Sequence, residues 1–411
     1  MATATAVVET TVRRTFKAFE YRDFRLMWVG ACTSSIGTWM QIVAQGWIIY
    51  RLSHSAFLLA LDQFLGGIPI FLLSLLGGVV ADRVERRRIL LASQYIQLAS
   101  AGTLTLLVVG GLNHVWPILC LSLLSGFAQA FGGPAYSALI PTLVDREDMP
   151  NAIALNSIQF NLAVAVGPAL GGITLARLGE AWCFGLNTIS FLAPIAALTA
   201  ITSRFLPPKT NDSMLSSFKQ GIQFVKRQGS MEALIVLAFC MTALSMPLRT
   251  FFPVFVKDIF RRGPEIFGWL SSFMGIGSIC GSLVIASLGN FRHKGRIAVL
   301  MMICLGGAIT AFAVSRSLLL SYAVVLLVGF AMMTVFATVT SLVQLITTDD
   351  MRGRVMSVYN AAFRGGMPLG NLVSGWLVPP FTASQVVAVN GLLLVLLASS
   401  FFATRSRVTA L

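Results

Sequence analysis

Gly78-Val79-Val80-Ala81-Asp82-Arg83-Val84-Glu85-Arg86-Arg87-Arg88 is the stretch that decides how the chain is read. An apolar run over 56–80 ends there in six charges within seven residues, and a second apolar run starts at Ile89. Both runs reach the ~20 residues that a helix needs to cross a bilayer. A charge-dense turn between them cannot lie in hydrocarbon, where neither its charges nor its free backbone groups would be solvated. It must sit at a water-facing surface. Its arginines Arg83, Arg86, Arg87 and Arg88 place that surface on the cytoplasmic side.

The rest of the composition agrees. Of 411 residues, 56% are hydrophobic and only 11% charged, less than half the ~25% charge of a soluble protein. The chain is therefore read as an all-α polytopic membrane protein. Taken alone, a net charge of +14 suggests nucleic acid. Its basic residues are scattered over short loops instead of forming a stripe, so no nucleic-acid partner is expected. Contact with anionic membrane lipids fits better. The six cysteines stand singly in apolar runs, which supports neither disulfides nor a metal site. No cleavable leader is recognised in residues 1–25.

Runs of spanning length fall near 26–49, 56–80, 89–110, 116–138, 152–176, 181–203, 231–256, 265–288, 297–315, 318–342, 355–378 and 384–403, twelve in all. An even count puts both termini on one side. With that side cytoplasmic, 22 of the 30 Lys and Arg lie inside and six outside, which sets the orientation. The longest connection divides the chain into residues 1–203, a linker 204–230, and residues 231–411. In the linker, Met214, Phe218, Ile222 and Val225 recur at helical spacing beside Lys219, Lys226 and Arg227. That predicts a helix lying on the inner membrane surface. The N-terminal stretch, with Val12, Phe16 and Phe19 among Arg13, Arg14 and Lys17, reads the same way.

The halves echo one another. Leu143-Val144-Asp145-Arg146-Glu147-Asp148-Met149 enters span five, and Leu345-Ile346-Thr347-Thr348-Asp349-Asp350-Met351 enters span eleven. Gly167-Pro168-Ala169-Leu170-Gly171 is matched by Gly366-Met367-Pro368-Leu369-Gly370, and Gly289–Arg296 is a degraded copy of the opening stretch. The expectation is 12 transmembrane helices in two pseudo-symmetric six-helix bundles.

The spacing Gly78-x-x-x-Asp82-Arg83-x-x-Arg86-Arg87 resembles the loop between helices two and three of the major facilitator superfamily of secondary transporters. Further residues liken the chain to its branch of bacterial enterobactin and macrolide exporters. They are Tyr21–Trp28, Pro134–Pro141, Asn151–Ser157 and Arg352-Gly353-Arg354-Val355-Met356-Ser357. The resemblance implies that the loop latches the two halves on the cytoplasmic side, Asp82 facing the start of span eleven. Glu85 stands where many members carry glycine. Gly167-Pro168-Ala169-Leu170-Gly171-Gly172 looks like the glycine-proline motif of the superfamily's proton antiporters, with Ala163 in place of an upstream glycine. That favours export.

Inside the spans, Asp62 is the one acid and Arg249 and Arg364 are the bases. A charge at a helix centre costs roughly 2.5–3.5 kcal/mol on insertion scales, so each needs a partner or water. Asp62 lies about 9 Å from the outer end of span two and Arg249 about 12 Å from that of span seven, at 1.5 Å per residue. In the superfamily these spans meet near the outer face. An Asp62–Arg249 ion pair in the outer gate is therefore expected; the alternative is Asp62 in an interfacial water pocket. Arg364 near the middle of span eleven either faces a central cavity, where it attracts an anionic or carbonyl-bearing substrate, or binds backbone carbonyls freed near Pro368. Gln41 and Gln45 share one face of span one, Gln129 lies in span four, and Asn360 precedes Arg364 by one turn. Such amides pair across helices or line a wet cavity.

No P-loop, dinucleotide loop or catalytic motif stands out, and His54, His114 and His293 all fall in loops. The resemblance implies proton-driven efflux of an amphipathic small molecule, such as a siderophore or antibiotic, by alternating access. No cofactor is implied and the substrate binds between the halves; if protons are coupled, Asp62 is the best carrier by elimination. The implied setting is a monomer in the bacterial inner membrane. Lipid or lysolipid translocation is the competing function on the same fold, and a membrane-embedded enzyme the remaining class.

Overall fold

The computed structural model describes residues 16–81, 84–112, 114–201, 214–288 and 293–403. Among them every regular element is helical. A 3-10 turn, Lys17–Glu20, leads into α1 (Arg22–Ser53), α2 (Ala56–Ala81), α3 (Arg86–Val109), α4 (Trp116–Leu139) and α5 (Met149–Leu178). Next come α6 (Glu180–Ala200), interrupted at Phe191, and the linker helix α7 (Met214–Arg227). The second half holds α8 (Gly229–Ile259), α9 (Pro264–Leu288), α10 (Lys294–Val314), α11 (Leu318–Ile346), α12 (Arg352–Leu377) and α13 (Ala383–Ala403).

Ten of these helices are long and apolar enough to cross a membrane. The two long helices outside that ten, α1 with 32 residues and α12 with 26, carry Gln41 and Gln45 and Asn360 and Arg364 respectively. Large apolar side chains such as Leu106, Trp116, Leu319 and Trp376 are exposed along the outside of the bundle. In a bilayer that surface faces acyl chains, so its exposure costs nothing. The chain is a multi-pass membrane protein.

Within the first half, α1 packs on α5 and α6, α2 on α4, and α3 on α4 and α6. Within the second, α8 packs on α12, α9 on α11, and α10 on α11 and α13. Two seams join the halves, α5 on α9 and α2 on α12. Leaving out α7, α2 and α9 are the second helices of their halves, and α5 and α12 the fifth. The two seams are thus one contact made twice, as a pseudo-two-fold axis requires.

Closure is one-sided. At the end remote from the start of α1, here the distal end, a single apolar core runs from Val43, Ile48 and Leu59 into Leu248, Phe252 and Phe267. At the proximal end, Phe24, Met27, Leu90, Leu139, Leu155 and Leu198 form a separate core within the first half. There the seam helices are bare on several sides: Ile153, Ile158 and Phe160 of α5 are exposed, as are Leu283, Val284 and Leu288 of α9. Among the described residues the halves touch distally and part proximally.

The predicted linker helix forms, but it docks on protein. Val225 is buried, and Gly221, lacking a side chain, lets α7 approach the Arg354 carbonyl at the start of α12. Lys219, Lys226 and Arg227 stay exposed. An amphipathic pattern alone cannot distinguish a lipid surface from the end of a bundle. Phe19 likewise packs edge-on to Trp28, ring centres 5.0 Å apart, while Val12, Arg13 and Arg14 lie outside the described residues.

Candidate functional site

Asp62, two turns into α2, is 3% exposed. Gln45 of α1 donates its Nε2 to both carboxylate oxygens at 2.9 and 3.0 Å. Ser122 of α4 donates its hydroxyl to the same group, and Gln63 donates Nε2 at 3.3 Å. The chain of polar groups continues through Gln41 Nε2 to Gln45 Oε1 (3.3 Å), Asn187 Nδ2 to Gln41 Oε1 (2.6 Å) and Ser190 Oγ to Asn187 Oδ1 (3.0 Å). Four helices of the first half contribute. Neutral donors here replace the water that a buried carboxylate would otherwise lack. Ser122, Asn187 and Ser190 were not foreseen, because single Ser and Asn residues in apolar runs are ordinary helix-packing groups.

The expected ion pair is corrected. Among the described residues no salt bridge joins Asp62 to Arg249. The Arg249 guanidinium instead lies over the Trp39 ring, 4.0 Å from its centre. Two causes suffice. Asp62 already has three donors from its own half, and an aromatic face is an attractive seat for a partly desolvated cation. Arg249 still links the halves, since Trp39 belongs to α1 and Arg249 to α8.

A second distal link was not foreseen. Tyr50, near the end of α1, donates its hydroxyl to Asp258, and Lys257 lies 5.6 Å from the Tyr50 ring centre. Both partners sit on the π-helical turn Phe255–Ile259 that ends α8. The wider π turn follows Pro253 and sets these charged residues against the other half.

The glycine-proline motif lies where the halves meet. A Cβ on Gly171 would come within 2.8 Å of the Met40 Cα, and one on Gly167 would press on Trp39. A Cβ on Gly172 would lie 3.0 Å from the Gly268 Cα across the seam, with Pro168 beside the same glycine. The matching motif of α12 does the same work: Pro368 abuts Gly67, and Gly365 abuts Phe71.

Helix α12 has two exposed sides. Leu369, Val373 and Trp376 form an apolar one, and Asn360, Arg364 and Met367, at i, i+4 and i+7, form the other. Its flanks are taken by α2, through Gly365 and Pro368, and by α8, through Gly366 and Gly370. With the apolar side toward lipid, the polar side faces the interior between the halves. Gln129 stands seven residues, two helical turns, beyond Ser122 on the same face of α4 and is exposed.

At the proximal end, Gly78 lies in the last turn of α2, while Asp82 and Arg83 lie outside the described residues. Arg86 donates to the Ala138 carbonyl at 2.9 Å and Arg87 to the Thr199 carbonyl at 3.0 Å. Those carbonyls sit at the C-terminal ends of α4 and α6, where helix carbonyls lack partners and cations are favoured. Nearby, Lys17 pairs with Asp148 at 2.9 Å, and Tyr21 donates to Asp148 (2.8 Å) and Asp145 (3.0 Å). The Lys17 and Tyr21 hydrogen bonds hold the Asp148 carboxyl below its ordinary value. In return Asp148 raises Lys17, and with burial and Asp145 pushes the Tyr21 hydroxyl up to about 12.

Known proteins resemble this chain over nearly its whole length. The multidrug efflux pump Tap of Mycolicibacterium fortuitum is 25% identical over 366 residues, covering 85% of this chain and 88% of that protein. The enterobactin exporter EntS of Shigella boydii serotype 4 (strain Sb227) is 26% identical over 381 residues, covering 90% and 88%. Among solved structures, the nucleoside transporter NupG superposes with a TM-score of 0.71 at 16% identity, covering 93% of this chain and 99% of that one. The peptide transporter POT in complex with sulfate gives 0.74 at 11% identity, covering 94% and 95%. These structures share the fold. A sequence model matches residues 14–411, so the chain belongs to the transmembrane secretion effector family of the major facilitator superfamily.

Proposed function

We propose that the protein is a proton-coupled exporter of amphipathic small molecules, a siderophore, antibiotic or similar compound, working by alternating access. The observation that carries this reading is the one-sided closure of the bundle around a buried acid. Distally the halves are held by Tyr50–Asp258, Arg249–Trp39 and the glycine seams; proximally the described residues part. Protonating Asp62 removes a charge that Gln45, Ser122 and Gln63 now solvate, and so changes the relative stability of the two closures. The names of Tap and EntS support export over uptake.

On this reading α1 and α12 complete twelve spans, the boundary between the bundles falls at 204–230, and the protein is a monomer without a cofactor. Both termini are cytoplasmic in an inner membrane, with loop charges against anionic lipid. The proximal opening is then the cytoplasmic one, through which cargo enters. Gln41, Gln45, Gln129, Asn360 and Arg364 line its path, and the loop with Gly78, Asp82, Arg83, Arg86 and Arg87 closes that side at the opposite stage of the cycle. The test is transport in inverted vesicles under an imposed proton gradient. Uptake of cargo by the native protein and its loss in Asp62→Asn is the expected result; gradient-independent transport, or an active Asp62→Asn, overturns the coupling.

A second reading, lipid translocation, draws on an apolar groove between α2, α3 and α4. It is lined by Val80, Ile89, Ile96, Leu124, Phe127 and Phe131. Scrambling of a labelled lysolipid by reconstituted protein would favour it.

A further inference from the structure

Hydrogen-bond donors without acceptors collect on one face of α12. Asn360, Arg364 and Asn371 share it, at i, i+4 and i+11. Among the described residues neither a carboxylate nor a backbone carbonyl partners the exposed Arg364, so it does not cap carbonyls freed by Pro368. Asn371 is fully buried; its Oδ1 accepts from Thr250 Oγ1 at 2.9 Å, but its Nδ2 has no partner. Thr250 adjoins Arg249, whose guanidinium meets the Trp39 ring and no anion. From Arg364 to Asn371 the stripe rises about 10 Å, at 1.5 Å per residue, with a donor at either end and Met367 between them.

Among the described residues no accessible acid matches that stripe in the interior. Asp62 is 3% exposed and engaged by Gln45, Ser122 and Gln63, so the accessible formal charge between the halves is positive. An amphipathic cation would meet Arg364 with no compensating carboxylate. An oxyanion would meet a planar fork of donors suited to it.

We propose that the cargo carries an oxyanion head, carboxylate, phenolate, sulfonate or phosphate, and that Arg364 takes it with Asn360 one turn away. The unpaired Nδ2 of Asn371 and the Arg249 guanidinium extend the same donor column toward the distal end. This assignment rests on the export reading and sharpens it to a charge class: acidic amphiphiles are cargo, and permanently cationic ones are not.

The test compares two xanthene dyes of similar size, carboxyfluorescein (anionic) and rhodamine 6G (cationic). Binding to purified full-length protein is read by fluorescence polarisation, separately from flux in inverted vesicles. The native protein should bind carboxyfluorescein roughly tenfold tighter than rhodamine 6G, and added salt should erode that preference. Arg364→Gln should weaken carboxyfluorescein binding by about tenfold and leave rhodamine 6G unchanged, while Arg364→Lys, which keeps the charge without the planar fork, should fall between the two. Native protein that binds rhodamine 6G as tightly, or binds neither dye, overturns the assignment. So does an Arg364→Gln protein of unchanged melting temperature that binds carboxyfluorescein normally. If Arg364→Gln does not fold, the native dye preference and its salt dependence decide. Intact anion binding without gradient-driven flux would instead sink the export reading and leave this one standing.

Discussion

The guanidinium of Arg249 rests 4.0 Å from the centre of the Trp39 ring, so a charge on α8 of one half is seated on an aromatic face of α1 in the other. Such a contact is worth ~0.5 kcal/mol when exposed and about 2 when desolvated. That is enough to move a two-state equilibrium by roughly two- to thirtyfold. Trp39→Leu should therefore shift the protein away from distal closure, with faster labelling of a cysteine placed at Ile49, which is buried near the distal end of α1. Unchanged labelling would mean that the stack carries no closing energy.

Gly172 gives a sharper test of the α5–α9 seam. A Cβ there would sit 3.0 Å from the Gly268 Cα and 3.1 Å from the Glu265 Cα, both backbone atoms that cannot rotate away. Gly172→Val should destabilise the distally closed form by ~1–3 kcal/mol, the usual cost of overpacking. Transport should fall while the protein still folds, and distal cysteine labelling should rise. Full transport by this variant would show that the halves need not approach so closely.

Tyr50→Phe removes the hydroxyl that Asp258 accepts across the distal seam. A hydrogen bond to a charged group contributes roughly 1.5–3 kcal/mol. The distally closed population should drop, read as a longer distance between spin labels on the distal ends of α1 and α8. Asp258→Asn should behave alike, and the double substitution should add little to either.

The fold was legible because a membrane imposes coarse rules: apolar runs of fixed length, charges in loops, and a repeat between halves. The glycine-proline pattern was legible too, since Gly171 and Gly172 report close approach whatever their partners prove to be. Tyr50–Asp258 was not, because its partners lie 208 residues apart and neither is unusual at its own position. The Asp62–Arg249 pairing failed for a related reason. Opposite charges at like depth are a sensible guess, but neutral groups such as Ser122 can satisfy an acid first, and sequence does not rank them.

Asp148 supplies a prediction in pH. Its carboxyl is held below its ordinary value of 3.8, so its contribution is whole above about pH 4 and lost as pH falls through the lowered value. Lys17 is raised above 10.5, so its contribution is whole below that and lost as pH rises through the raised value. Between those limits the Lys17–Glu20 turn should stay clamped to the start of α5. Asp148→Asn should speed amide exchange at residues 17–21 across that window, after correction for intrinsic rates. Unaltered exchange would assign the anchoring to Asn151, which accepts from the Ala18 amide at 2.9 Å.

Where Gly172 meets Gly268 and Gly275 meets Ala165, the halves press main chain on main chain. A joint of that kind behaves as a smooth bearing: at those points one surface can roll over the other with no side chain of the glycines in the way. The friction of the transport cycle then lies elsewhere, in making and breaking the polar clasps at the rim. Those clasps, and not the glycines, would set how fast the protein turns over.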